Sequence, residues 1–203
     1  MHELVRSTAK RRLLVLACLL NAGCAGTRPV HYYTLTSAQP HLTQGKEDGL
    51  TILVGNIAAS ESLQDVRIRY RVGANEEGAY EYHHWTERPG SMVRDGLMQA
   101  LRSSGKYRRV LESSSSATGN YLIRGRLYAF DEMDNPGIQT RISLHLELID
   151  KKTNRTAWDR LFERDEPAKG KSVKDVVASM DQNLSQVSNQ AAAEIGTLLS
   201  DRR

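Results

Sequence analysis

"GIQTRISLHLELID", residues 137–150, decides the fold. Ile138, Thr140, Ile142, Leu144, Leu146 and Leu148 alternate with Gln139, Arg141, Ser143, His145 and Glu147. Successive side chains of a strand point to opposite faces, so this spelling predicts a strand with one face in a core and a polar face outward. Asp134-Asn135-Pro136-Gly137 marks a turn before it and Asp150-Lys151-Lys152-Thr153-Asn154 a hairpin after it. Strand patterns at 120–130 and 155–163 stand on either side, and a shorter one at 107–111.

The period changes in two places. Val93, Leu97 and Leu101 recur every four residues with Met98 beside them, and Gly105 stands where a helix would stop. Downstream, Ser172-Val173-Lys174-Asp175 has the layout of a capping box with Asp in place of Glu or Gln. From there Val173, Val176, Val177, Met180, Leu184, Val187, Ala191, Ile195 and Leu198 keep helical spacing to the end of the chain, a helix on the order of 40 Å long. Its other face carries Lys174, Asp181, Gln182, Gln186 and Glu194, without the basic enrichment of an interfacial helix, so packing on the sheet is expected.

Toward the N-terminus, "LTILVGNI" at 50–57 is apolar on both faces, as in a central strand covered on each side. "DVRIRYRV" at 65–72 alternates, with Val66, Ile68, Tyr70 and Val72 on one face and Arg67, Arg69 and Arg71 on the other, read as the solvated outer face of a half-buried strand. "GANEEG" at 73–78 turns it into "AYEYHHW" at 79–85, and "VHYYTL" at 30–35 reads as a first strand. The sum is one α+β domain, a mainly antiparallel sheet with a mid-chain helix and a long C-terminal helix packed on it.

The first residues carry a different message. Arg6, Lys10, Arg11 and Arg12 precede an apolar run from Leu13 to Leu20, then small residues, the three-part layout of an export signal. The run is far short of the roughly 20 residues needed to cross a bilayer as a helix. Leu20-Asn21-Ala22-Gly23-Cys24 resembles the bacterial lipobox, which implies cleavage between Gly23 and Cys24 and a diacylglycerol on the Cys24 thiol. A thioether needs a nucleophilic sulfur, and two or three acyl chains hold where a single chain binds only reversibly. Ala25, rather than Asp, after the cysteine points to the outer membrane of a Gram-negative cell. The expected organisation is a signal at 1–23, an acylated cysteine and tether at 24–30 and the α+β domain at 31–203.

Removal of the signal changes the composition. Of 28 basic and 24 acidic residues, the first 23 positions hold four and one, leaving 24 against 23 in the mature chain. A net charge near +1 removes the electrostatic argument for nucleic acid. Of the two cysteines, Cys18 leaves with the signal and Cys24 is the acylation site, so no disulfide is available and the core alone must hold the fold.

A family resemblance follows from these stretches taken together. The lipobox followed by "YYTL" at 32–35, the strand "LTILVGNIA" at 50–58, Tyr80, His83, Trp85, Glu87 and Pro89 within "YEYHHWTERPG", and the closing strand-strand-helix resemble the ABC-type transport auxiliary lipoprotein family. The resemblance implies an outer-membrane lipoprotein facing the periplasm that docks an MCE-domain transporter subunit and helps move lipids or apolar compounds between membranes, with energy from a separate ATPase. It leaves open a homo-oligomer. The competing reading of the same residues is a structural envelope lipoprotein that binds peptidoglycan or an outer-membrane assembly partner.

Catalysis finds no footing in the sequence. There is no G-x-S-x-G elbow, and Ser113 to Ser116 is a polar loop without partners. No G-x-x-x-x-G-K-[ST] loop exists for a nucleotide. His83 and His84 are adjacent in a strand and point to opposite faces, so they cannot chelate a metal together. No catalytic residue, metal or cofactor beyond the lipid on Cys24 is expected. Trp85, a lone tryptophan beside a turn, reads first as a core residue; its other reading is the candidate partner contact, within an aromatic surface of Tyr32, Tyr33, Tyr80, Tyr82 and Trp85.

Overall fold

A computed structural model describes residues 28–38, 49–73, 75–114, 116–134 and 137–201. The signal, Gly23, Cys24 and the start of the tether lie outside the described residues, as do Asn135 and Pro136 of the turn expected at 134–137. The chain runs β1 (His31–Tyr33), β2 (Thr51–Ala59), β3 (Arg67–Val72), β4 (Glu76–Trp85), α1 (Pro89–Ser103), β5 (Arg109–Glu112), β6 (Tyr121–Asp134), β7 (Ile138–Asp150), β8 (Arg155–Pro167) and α2 (Val173–Ser200).

The alternating stretch is β7, at the heart of the sheet. It pairs antiparallel with β6 from Tyr121↔Asp150 to Asp134↔Ile138, and with β8 from Gln139↔Pro167 to Asp150↔Arg155. Ile142, Leu144, Leu146 and Leu148 are all buried. Asn154 turns the β7–β8 connection in the left-handed region at φ 53°, which asparagine tolerates better than most residues.

On its other side β6 forks. Its first half pairs parallel with β2, and β2 with β5. Its second half pairs parallel with β3 between Arg69↔Asp131 and Val72↔Asp134. β3 then pairs antiparallel with β4, and β4 parallel with β1. The long ladders are antiparallel, as expected, while the shorter junctions at the fork are parallel, and the sheet is mixed.

Both helices pack on the sheet. α2 buries Val176, Met180, Leu184, Val187, Ala191, Ile195 and Leu199, steps of three and four that make one stripe. α1 buries Val93, Leu97, Met98 and Leu101 and meets α2 where Gly96 lies under Leu184 and Ser188. At the start of α1, a Cβ on Gly90 would sit 2.8 Å from the Ile57 carbonyl oxygen, so only glycine lets the helix rest on β2.

Thr140, the one polar member of the inward row of β7, has a reason to be there. Its hydroxyl lies 2.9 Å from that of Ser179, and Asn183 donates to the Thr140 carbonyl at 3.0 Å and the Arg164 carbonyl at 3.2 Å. These buried bonds fix the rotation of α2 over the β7–β8 ladder, because a polar group withdrawn from water must find a partner.

The capping box forms as spelled. Ser172 Oγ accepts from the Asp175 amide at 3.2 Å, and Asp175 Oδ2 accepts from the Ser172 amide at 3.0 Å. Ser172→Ala is expected to destabilise the domain by about 1 kcal/mol, read as a lowered urea midpoint with an unchanged slope. An unchanged midpoint would show that the cap contributes nothing.

Two expectations need adjustment. "VHYYTL" forms only a three-residue strand, because the chain leaves β4 after Tyr33, sends Leu35 into the core and enters a 3-10 turn at Thr36–Ala38. The arginine row of β3 is not a free solvated face. Arg71 Nε donates to Asp131 Oδ2 at 3.0 Å, Arg69 Nε lies 3.6 Å from Asp131 Oδ1, and Glu77 takes the far side of both guanidinium groups. Asp131, 1 % exposed, is the charge they neutralise across the fork.

Candidate interaction surface

The aromatic residues near the N-terminus converge because β1 lies parallel on β4, in the register His31↔His83, Tyr32↔His84 and Tyr33↔Trp85. Residues in register share a face, so two sets form. On one face His31 stacks on His83 with ring centroids 5.3 Å apart, and the Tyr33 hydroxyl bonds His83 Nδ1 at 2.9 Å. Tyr80 meets the same imidazole edge-on at 5.7 Å and Tyr70 at 5.2 Å. On the other face Tyr32, 64 % exposed, stands edge-on to His84.

Trp85 does not join this surface. It is 1 % exposed and packs edge-on against Phe130 at 5.8 Å. As the last residue of β4 it turns inward where the two branches of the fork meet, and its amide donates to the Val66 carbonyl at 2.6 Å. Of the two readings of Trp85 the core is borne out and the partner contact is corrected: the ring has no free face, and of the tyrosines around it Tyr32 is exposed while Tyr33 and Tyr80 pack partly buried against the core.

Behind the surface lies a buried acid that the sequence reading passed over. Glu132, 5 % exposed, accepts from the Tyr80 hydroxyl at 2.8 Å. Burial pushes its carboxyl above the ordinary value of 4.5, and the Tyr80 bond opposes that without cancelling it. Burial, followed by this bond, pushes the Tyr80 phenol up as well.

The folded state thus holds the Glu132 proton more tightly than the unfolded chain, so this contribution is largest at low pH and is lost as pH rises through 4.5 toward the folded value. Glu132→Gln is expected to gain stability relative to the parent across that rise, in melts between pH 4 and 7. A difference independent of pH would contradict the burial of a titrating carboxyl.

Asp181 on α2 secures the incoming chain. Its Oδ1 accepts from the Ser37 amide at 2.8 Å, and its Oδ2 from the Thr36 hydroxyl. Burial raises its carboxyl, but the bonds from Ser37 and Thr36 together outweigh that and hold it below the ordinary range. Beyond this clamp a polar groove of about 590 Å³ runs between α1 and α2, past Gly96, Ala100, Ser103, Ser185 and Asn189.

Among the described residues no group of three or more His, Cys, Asp or Glu is placed to hold a metal. His83 and His84 separate onto the two faces, His83 toward Tyr33 and His84 Nε2 toward the Glu81 carbonyl at 3.2 Å. A sequence signal for Asp131 and Glu132 exists, two adjacent acids directly after the apolar "YAF" at 128–130, but it reads locally as the end of a strand. His31 gains its partner His83 only through pairing between distant segments.

Relatives place this arrangement. Among curated proteins none matches the sequence. A solved structure from Xanthomonas campestris assigned to the DUF330 family superposes with a TM-score of 0.74 at 18 % identity, covering 85 % of this chain and 98 % of that one. An uncharacterized protein superposes at 0.67 with 17 % identity, covering 83 % and 99 %. A PelC dodecamer from Paraburkholderia phytofirmans reaches 0.46 at 12 % identity, covering 73 % and 93 %. The first two share the fold. The profile described as the ABC-type transport auxiliary lipoprotein component matches residues 33–192, from the last residue of β1 deep into α2, and the chain belongs to that family.

Proposed function

We propose that the chain is a non-catalytic accessory subunit of an MCE-domain, ABC-type intermembrane transport system, carrying lipid or another apolar compound, and that it is anchored through acylated Cys24 in the outer membrane facing the periplasm. Family membership across residues 33–192 carries this reading. The lipobox ending at Cys24, with Ala25 after it, supports the anchor and its destination. No helix among the described residues is long and apolar enough to cross a membrane.

Affinity isolation of the full-length protein from detergent-solubilised envelopes, with density-gradient separation of the two membranes, tests this function. An MCE-domain subunit is expected in the eluate, and the protein itself in the outer-membrane fractions. An eluate with only peptidoglycan fragments or outer-membrane assembly proteins would replace this reading with that of a structural envelope lipoprotein. Recovery in the inner-membrane fractions would overturn its destination.

A further inference from the structure

The direction in which the chain enters the domain fixes which end can face the membrane. β1 is parallel to β4, and β4 starts at the tip of the β3–β4 hairpin, so residues before His31 lead back toward that tip. Arg28 confirms the direction, with its guanidinium 5.9 Å from the centre of the Tyr82 ring. Only residues 25–27 separate it from Cys24. Four residue steps reach at most about 14 Å, so acyl chains on Cys24 would bring Arg28 and the Tyr82 edge close to the headgroups.

What stands at this edge suits that layer. Tyr32 is 64 % exposed and Val30 40 % exposed, two of the few large apolar side chains left to solvent among the described residues. Tyrosine favours the boundary between water and acyl chains, where its ring is apolar and its hydroxyl stays wet. The charges of β3 do not make a basic patch. Arg67 pairs with Asp65, and Arg69 and Arg71 are taken up by Glu77 and Asp131. Exposed Glu76 and Glu81 offset Arg28. Attraction to anionic lipid needs clustered free Lys or Arg, so the matching partner is a zwitterionic phospholipid surface.

We propose that the β1–β4 edge, through Tyr32, Tyr82 and Arg28, lies against the phospholipid headgroups around acylated Cys24, so that the domain stands with its β3–β4 hairpin end on the membrane. The orientation rests on the acylation reading above. It turns the β7–β8 hairpin, at the opposite end of the sheet, away from the membrane, because β7 ends where β6 begins and β3 pairs with the far end of β6.

Cysteine labelling tests this in the acylated full-length chain, since acylated Cys24 leaves the mature protein without a free thiol. Tyr32→Cys and Lys152→Cys each carry an environment-sensitive fluorophore, in vesicles of phosphatidylethanolamine with phosphatidylglycerol. The expected result is a blue-shifted emission at 32, quenched several-fold more by nitroxide on the headgroup than at 152, and unchanged when the anionic lipid fraction is varied. Equal water exposure at 32 and 152 in a chain that stays with the vesicles overturns the orientation and leaves the anchor standing. A label taken up by the parent chain shows a free Cys24 thiol and overturns both.

Discussion

Trp85→Ala is expected to lower stability by about 3–5 kcal/mol, the range for removing a fully buried large aromatic side chain. The ring is 1 % exposed, and it stands where β4, β6 and the N-terminal segment meet, edge-on to Phe130 and in one core with Leu35, Leu63 and Ile68. Truncation leaves a hollow at the junction of the two branches of the sheet, and the rigid strands around it close over it poorly. Trp158 is the built-in comparison. It is only partly buried and lies tilted on Phe162 at 6.1 Å, so Trp158→Ala should cost distinctly less. Urea unfolding of the two variants at matched slope checks the contrast. A loss at Trp85 under about 1 kcal/mol, the ordinary cost of a point mutation, would mean that the ring is not the wedge of this core.

Cys24→Ala should change the protein's location rather than its fold. Each buried methylene contributes about 0.8 kcal/mol to membrane binding, so two or three acyl chains anchor a domain that a single chain holds only marginally. Without the sulfur no thioether forms. The expected outcome is a chain whose mass lacks the acyl groups and which leaves the outer-membrane fraction, while its melting curve matches the parent domain. Retention in that fraction at unchanged mass would show that something other than Cys24 binds it there.

How far these features could be read beforehand differs from element to element, for physical reasons. β7 was legible because its two faces meet different environments, so period two is written into the sequence from Ile138 to Leu148. α2 was legible for the same reason at period 3.6, together with its cap. The fork of β6 was not. It depends on parallel pairing between segments far apart in sequence, and neither half of β6 differs locally from an ordinary strand.

Trp85 shows the same limit at a single residue. A tryptophan at the end of a strand before a turn has the same neighbours in sequence whether it turns inward or outward, and Phe130, 45 positions away, decides between them. The acids at 131 and 132 look like the end of a strand until Arg69, Arg71 and Tyr80 arrive from the other branch to pair with them. Histidines 83 and 84 were separable from the start, because strand alternation alone puts them on different faces.

Crosslinking of the full-length lipoprotein in intact cells, followed by mass spectrometry of the captured chains, decides whether a transporter subunit is its partner. The expected capture is an MCE-domain transporter subunit joined to this protein, with phospholipid in the purified complex. Capture of peptidoglycan or outer-membrane assembly proteins alone, with no transporter subunit, would contradict it.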